Sequence, residues 1–294
     1  MDLERDPVLG IPGLRAATRP LARLVAAAVA AVDRQDRGDR PGLVGLTGAV
    51  ASGKSTTADA LAQVLADEHG LVTEILSTDG FLWPNAELER RGLTARKGYP
   101  ETYDYRSLLA VVVRLERGDR HVEVPVYDHL VYDVVPGRST EVGGADVVLV
   151  EGLNVLQDPP PVGDGDQTGD GDGDDAAGRD PSVADQLDLG VYVDAAERDL
   201  RAWYRSRVAR LRAEAPGDGS SFYDSFAGLD DEAFGAIADQ VWETVNLPNL
   251  VDHIAPSRDR ADLVVVKAAD HSIHEIELRT ARARRLAALV GEQT

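Results

Sequence analysis

One short stretch near the start of the chain combines the glycine spacing and the lysine that bind nucleotide phosphates. Residues 48–55 read Gly-Ala-Val-Ala-Ser-Gly-Lys-Ser and fit G-x-x-x-x-G-K-[ST] without a mismatch. Glycines let backbone N–H groups curve around phosphate oxygens, and a following helix adds positive partial charge at its N-terminus. We expect Lys54 to reach the β- and γ-phosphates of ATP and the Ser55 hydroxyl to ligate Mg²⁺. The predicted nucleotide-binding residues are Gly48, Ala49, Val50, Ala51, Ser52, Gly53, Lys54, Ser55 and Thr56.

Two carboxylates follow other apolar runs. The run 146–150 ends in Glu151, the position of the acid that helps to hold Mg²⁺ beside a P-loop. Asp79 follows the run 72–76, and the crevice of an open α/β sheet lies at the carboxyl ends of its strands. There a carboxylate can orient an acceptor hydroxyl and take its proton. From spacing alone, Asp79 could equally be a turn or N-cap residue, and a lone acid at a strand end is more often a solvated turn residue.

Short apolar runs alternate with segments of helical spacing, which indicates how these residues are positioned. Predicted strands cover residues 43–46, 72–76, 122–126, 146–150, 189–193 and 263–266. Predicted helices cover residues 20–32, 54–69, 106–117, 196–212 and 231–245. Runs that are apolar throughout are typical of parallel strands covered on both faces. The sequence therefore predicts the α/β P-loop NTPase fold, with a mainly parallel central sheet and helices on both faces.

Composition excludes several classes of function. The chain has a formal net charge of −20 at pH 7 and no cysteine, so nucleic acid would be repelled and disulfides or thiolate metal sites cannot form. The longest apolar run, 24–32, is too short to span a bilayer, and the acidic N-terminus is unlike a signal peptide. We therefore expect a cytoplasmic protein without nucleic-acid or membrane partners. Its acidity fits a salty, halophilic cytoplasm in which salt screens surface carboxylates; the alternative is incidental acidity in a GC-rich genome.

Glycine and aspartate dominate a segment at about 159–181. Because such a composition cannot bury a core, we predict a disordered surface insertion. The alternative is a calcium loop, since an EF-hand-like order of oxygen ligands is present at Asp164, Asp166, Thr168 and Asp175. Flanking prolines and the missing glutamate at the last ligand position argue against the calcium loop.

Longer blocks of the sequence closely resemble the type I (bacterial) pantothenate kinases, which are P-loop kinases of the uridine kinase and phosphoribulokinase group. The blocks are residues 78–85, 97–104, 125–133, 150–156, 203–204 with Arg207, 246–250 and 258–261. They cover about residues 41–280, which leads us to separate a helical lead-in at 1–40 from a kinase domain at 41–294. The resemblance implies ATP-dependent phosphorylation of pantothenate to 4′-phosphopantothenate, the first step of coenzyme A biosynthesis, by a homodimer.

The resemblance also implies residue roles. Asp79 would be the catalytic base, and Arg207 would act with Lys54 to stabilise charge on the transferring phosphoryl group. Further side chains would join Asp79 in contacting pantothenate: Tyr127, His129, Tyr204 and Asn246. Packing and a surface ion pair on one helical face would also explain Tyr204 and Arg207, and His129 could be an ordinary turn histidine.

Two other functions remain open at this stage. A sister kinase of another small alcohol, such as a nucleoside or glycerate, would share every ATP residue and differ only around the pantothenate contacts. A nucleotide-binding regulator without catalysis is the other alternative, and the intact set of catalytic residues argues against it.

One position departs from the family pattern and concerns regulation. Asp59 stands where the family has a basic residue that assists phosphate contacts of the inhibitor coenzyme A. We therefore expect weak feedback by coenzyme A, unless another arginine such as Arg106 takes over that contact.

Overall fold

The computed structural model describes residues 14–31, 38, 40–160 and 180–291, and these contain two β-sheets. In chain order the strands are β1 (Gly42–Gly48), β2 (Thr73–Ser77), β3 (Val122–Asp128), β4 (Asp133–Val142), β5 (Val147–Glu151), β6 (Leu189–Ala195), β7 (Leu263–Lys267) and β8 (Ile273–Leu278). The central sheet has the order β2–β5–β1–β6–β7–β8; its first five strands are parallel and β8 is antiparallel. β3 and β4 pair as an antiparallel hairpin. The predicted mainly parallel sheet is confirmed.

Helices cover both faces of this sheet. In the described part of the chain, the α-helices of six or more residues are α1 (Leu14–Ala31), α2 (Lys54–His69), α3 (Asn85–Arg90), α4 (Tyr105–Glu116), α5 (Glu197–Glu214), α6 (Asp231–Val241) and α7 (Ala281–Gly291). Of these, α1, α2 and α7 cover one face of the sheet and α4 the other. After α6 the chain widens into π-type turns at Trp242–Asn246 and Leu250–Ile254. Within the described ranges, no helix combines the length and apolarity needed to cross a membrane.

The core explains why the strand sequences are apolar throughout. On β5, Val147 and Leu149 join a cluster with α1, α2 and α7, whereas Val148 and Val150 join the cluster on the opposite face, with α4. Successive side chains of a strand point to opposite faces. Because both faces of β5 are covered, these four residues are apolar, and all five residues of the strand, including the terminal Glu151, are buried.

Strand register brings the functional segments together. Glu151, at the end of β5, lies opposite Leu46 of β1 and Ser77 of β2. The P-loop follows β1, and Asp79 follows β2 by two residues. These parallel strands therefore deliver the P-loop, Asp79 and Glu151 to one edge of the sheet, as the sequence predicted.

Some elements differ from the sequence prediction. β4 and β8 were not expected as strands, since β4 is mostly exposed and β8 is a partly exposed edge strand without a continuous apolar run. The helix predicted at 231–245 ends at Val241 and gives way to π-type turns. The predicted lead-in at 1–40 is described only in part, as α1 and the few residues before β1; α1 packs on α2 and α7. The Gly/Asp-rich insertion predicted at about 159–181 lies almost wholly outside the described residues.

Candidate active site

The P-loop connects β1 to α2 in a conformation that requires its glycines. Gly48 has φ 150°, and a Cβ there would lie 2.3 Å from the Val193 carbonyl oxygen. Gly53 precedes α2 in the left-handed region, at φ 79°, where glycine carries no steric penalty. Ala51 also has a positive φ, 62°, which costs energy for a residue with a Cβ. The loop therefore holds its backbone in the curved form that a phosphate group needs.

Lys54 begins α2 and is buried at the base of this loop. Its Nζ donates to the Ala49 carbonyl oxygen at 2.9 Å, and only 8% of the residue is exposed. Burial lowers the pKa of Lys54, while the nearby carboxylates of Glu151 and Asp79 raise it. The ammonium therefore lies between the loop and the two predicted acids.

Glu151 is a buried carboxylate at the centre of the site. Burial raises its pKa, and the negative charge of Asp79 raises it further; the Lys54 ammonium and a hydrogen bond with Ser77 act in the opposite direction. Two acids held close together in a poorly solvated site repel each other, and a bound divalent cation would relieve that repulsion. Glu151 and the Ser55 hydroxyl border the same cavities, so the donor set fits Mg²⁺.

The described side chains do not form a closed metal cage. Among them, no group of three or more His, Asp or Glu residues is placed to hold an ion. Mg²⁺ usually takes one or two protein carboxylates and completes its shell with water and substrate phosphates. Glu151 and Ser55 are compatible with that mode of binding.

Two cavities meet at the catalytic residues. The larger, of about 650 Å³, extends from the P-loop to α5 and to the turn after β7. The smaller, of about 160 Å³, lies between the β3–β4 hairpin, α5 and the π-type turns. The predicted catalytic and metal-binding residues line both cavities: Lys54, Ser55, Asp79, Glu151 and Arg207. The arrangement suits two substrates that approach the same point from opposite sides.

All predicted acceptor-binding side chains line the smaller cavity: Tyr127, His129, Tyr204 and Asn246. They come from four separate elements, namely the end of β3, the hairpin turn, α5 and the first π-type turn. Arg207 Nη2 donates to His129 Nε2 at 3.1 Å, so that ring nitrogen is the acceptor. Asn246 lies beside Tyr204, and its Nδ2 has no partner of normal hydrogen-bond geometry among the described residues. π-type turns of this kind occur frequently at functional sites.

Two lysines in these cavities were missed by the sequence analysis. Lys97 borders the smaller cavity, where its Nζ donates to Asn85 Oδ1 and to the Tyr132 carbonyl oxygen, both at 2.6 Å. Lys267, at the end of β7, borders the larger cavity. Together with Lys54 they are the only lysines of the chain. The scarcity of lysine in an arginine-rich sequence is a signal that could have drawn attention to both.

Tyrosines supply much of the wall of the smaller cavity. Tyr132 adopts a left-handed φ of 59°, and its carbonyl oxygen binds Lys97. Tyr103 is 4% exposed, and its hydroxyl has no partner of normal geometry among the described residues. A β-bridge between Tyr103 and Leu82 holds it beside the turn that carries Asp79. Local sequence gives no sign of these positions, because each depends on a contact between distant segments.

Comparison with known proteins identifies the family. Residues 43–212, more than half of the chain, match the model of the Phosphoribulokinase / Uridine kinase family. A Nocardioides protein called pantothenate kinase is 46% identical over 79% of this chain and 67% of its own length. A Sorangium cellulosum protein of the same name is 44% identical over 79% and 70%, respectively.

A solved structure supports the fold independently. D-glycerate 3-kinase from Cryptococcus neoformans var. grubii superimposes with a TM-score of 0.59 at 17% identity, over 89% of this chain and 98% of that one. At that identity the likeness concerns the fold alone, and it agrees with the sheet order and P-loop described above. The chain belongs to the phosphoribulokinase/uridine kinase family, in which its curated relatives are pantothenate kinases.

Proposed function

We propose that the chain is an ATP-dependent pantothenate kinase that produces ADP and 4′-phosphopantothenate, the first step of coenzyme A biosynthesis. The observation that carries the proposal is the junction of the two cavities at Asp79 and Arg207, with the P-loop on one side and a tyrosine-lined pocket on the other. The names of the curated relatives, at 40–46% identity, supply the acceptor.

On the nucleotide side, the chain contributes positioning and charge. The P-loop N–H groups and Lys54 would hold the phosphates, and Arg207 would face the phosphoryl group in transfer. Phosphoryl transfer needs little covalent chemistry from the protein, so fixed positive charge and alignment supply most of the rate. Ser55 and Glu151 would hold Mg²⁺, which when bound neutralises phosphate charge.

On the acceptor side, Asp79 would orient the hydroxyl of pantothenate and accept its proton. Burial raises the pKa of Tyr127, so the phenol stays protonated and serves as a neutral hydrogen-bond donor. His129, Tyr204 and Asn246 would add further polar contacts. With the acceptor bound, these aromatic walls exclude water and favour transfer to the acceptor over hydrolysis.

The charge of the acceptor pocket favours an anionic alcohol over a nucleoside. Burial lowers the pKa of Lys97 to about 8, while the Asp133 and Asp79 carboxylates act in the opposite direction, so its amine remains mainly protonated at pH 7. A buried ammonium is stabilised by a nearby negative charge. The carboxylate of pantothenate or of glycerate would add to the stabilisation that Asp133 and Asp79 already give, whereas an uncharged nucleoside would not.

A substrate panel tests the proposal. The purified protein is expected to release ADP with pantothenate, and at most weakly with glycerate or a nucleoside, because the smaller cavity must fit the acceptor chain as well as its carboxylate. The measurement is a coupled ADP-release assay in molar KCl, with a reaction lacking any acceptor as control. Turnover with glycerate or a nucleoside but none with pantothenate would contradict the acceptor assignment and leave the kinase class intact.

We further propose that the protein works as a homodimer in a salty cytoplasm. The net charge of −20 supports the salty habitat, because dense surface carboxylates repel each other less when salt screens them. The homodimer rests on the resemblance to the family. Light scattering at low and at molar salt measures the oligomeric state directly.

Feedback by coenzyme A is proposed to be weak. Asp59 borders the larger cavity, whereas Arg106, the alternative phosphate contact, lines neither cavity. A carboxylate at about 4 Å from a phosphate repels it by some 4 kcal/mol at an effective dielectric of about 20, before screening. Salt reduces this penalty for exposed charges to about 1 kcal/mol or less, so inhibition is weakened and not abolished.

Asp59→Arg is therefore expected to tighten inhibition by coenzyme A, more strongly at low salt than in molar KCl. The measurement is the inhibition constant for coenzyme A in competition with ATP, for wild type and variant at both salt concentrations. Tight inhibition of the wild type that Asp59→Arg leaves unchanged would show that Asp59 has no part in feedback.

A further inference from the structure

A second buried lysine lies against the P-loop. Lys267, at the end of β7, is 3% exposed, and its Nζ donates to the Ser52 carbonyl oxygen at 3.2 Å. The same nitrogen lies 2.5 Å from the position that a Cβ on Gly53 would occupy, so it packs directly on the loop backbone. Its contacts are with the residues just before Lys54, on the wall of the larger cavity.

The electrostatic surroundings of this ammonium are unusual for a buried cation. Among the described residues it forms no ion pair, and the charge that acts on it is the neighbouring Lys54 ammonium. The Glu151 and Asp79 carboxylates act on Lys54. The Lys267 charge also acts on His271, which stacks on Trp203. Burial and Lys54 together lower the pKa of Lys267 to about 8.

Such an arrangement is unfavourable without an anion. A buried charge costs free energy unless it is paired, and two buried ammonium groups repel each other. The Trp203 ring, 5.8 Å from Nζ, and one carbonyl oxygen compensate only a small part of this cost. A ligand of the cavity that Lys267 borders would supply the compensating charge.

We propose that Lys267 is a second phosphate-binding lysine, which acts with Lys54 on opposite sides of the P-loop to bind the polyphosphate of a nucleoside di- or triphosphate. The inference rests on the nucleotide half of the proposed function. It is independent of the acceptor, because it is tested by nucleotide binding alone.

A purely structural role predicts the opposite behaviour. If Lys267 served only to fix the loop through Ser52, removing its ammonium would destabilise the free protein and leave phosphate affinity largely unchanged. If it binds phosphate, the ammonium destabilises the free protein at neutral pH. Because the pKa of Lys267 is lower in the folded protein, the unfolded chain holds this proton more tightly. The resulting loss of folding stability is fully present below about pH 8 and disappears as the pH rises toward the pKa of the unfolded chain.

Lys267→Met is the decisive variant, because Met keeps the length and burial of the side chain and removes its charge. We expect ATP and ADP affinity to fall about 10- to 100-fold, as for the loss of one hydrogen bond to a charged group. AMP and adenosine affinity should change by less than about threefold by the same arithmetic. The melting temperature without nucleotide should stay equal or rise. The measurements are calorimetric titrations without acceptor and thermal melts.

Two further variants make the test robust. Lys97→Met is the matched control, since it removes the other missed lysine from the acceptor pocket; it should keep ATP affinity and weaken acceptor binding. Lys267→Gln retains a donor for the Ser52 carbonyl but no charge, and should lose ATP affinity as Lys267→Met does.

At pH 8, binding of ATP to the wild type should take up a proton, measured from the buffer dependence of the binding enthalpy, and this uptake should fall in Lys267→Gln.

The contrary results are equally specific. If Lys267→Met kept its ATP affinity and had a lower melting temperature, Lys267 would serve only to fix the P-loop through the Ser52 carbonyl. If the affinities for adenosine and ATP fell equally, the substitution would have distorted the cavity and not removed a phosphate contact. ATP affinity restored by Lys267→Gln would show that the hydrogen bond to Ser52, and not the charge, is what the nucleotide requires. Each of these results would overturn the proposal.

Discussion

Asp79→Asn is expected to keep ATP binding and to lose about 10²- to 10⁴-fold in kcat, the usual contribution of a general base. The substitution preserves the shape of the side chain and removes its ability to accept the acceptor's proton. Asp79 lies where the two cavities meet, so the loss should fall on transfer and not on nucleotide affinity. Steady-state kinetics with pantothenate and a direct titration of ATP measure the two quantities separately.

The matched control is Asp259→Asn, the same chemical change on a side chain that is 84% exposed and ion-paired to Arg279. It should leave kcat unchanged within error. If Asp79→Asn retained more than about a third of the activity, far above the range expected for a lost base, Asp79 would have no role in proton transfer. A parallel loss of ATP affinity would instead indicate that the substitution disturbs the P-loop.

The parts of the fold that the sequence predicted well are those with local signals. The P-loop needs glycines at fixed spacing, and the apolar strands before it and before Glu151 must be apolar on both faces because helices cover both. Strand register then places Glu151 beside Ser77 and the P-loop without further information. Local rules and the topology of a parallel sheet were therefore enough to place the P-loop and Glu151 at one edge of the sheet, whereas Lys267 beside them was missed.

The acceptor half depends on contacts that local sequence does not encode. His129 and Arg207 are 78 residues apart in the chain and meet only because the hairpin turn packs beside α5. Asn246 reaches the pocket through a π-type turn, where a regular α-helix was predicted. These positions were predicted from resemblance to a family, and not from spacing. Lys97 and Tyr103 were missed because their roles appear only when Asn85 and Leu82 are placed beside them.

Arg207→Ala is expected to lower kcat about 10²- to 10³-fold while changing ATP affinity much less, as for a group that stabilises charge developing in the transition state. Arg207 lines both cavities, and its Nη2 is held by His129 from the acceptor side. The guanidinium is therefore already in place before the phosphoryl group is transferred. Arg207→Lys should recover part of the rate, because an ammonium restores the charge but not the planar fork of donors. The measurements are kcat and KM for both substrates, with ATP affinity determined by titration.

A second arginine of α5 provides the control for this variant. Arg198 is 85% exposed and lies within 4 Å of Asp199, so Arg198→Ala removes the same side chain from the same helix without touching either cavity. It should leave both kcat and KM near the wild-type values. An Arg207→Ala effect confined to KM for ATP would reassign the guanidinium to ground-state binding. An effect confined to KM for pantothenate would mean that Arg207 acts through His129 to shape the acceptor pocket. Only a loss of kcat that Arg207→Lys partly restores fits a charge that acts on the transferring phosphoryl group.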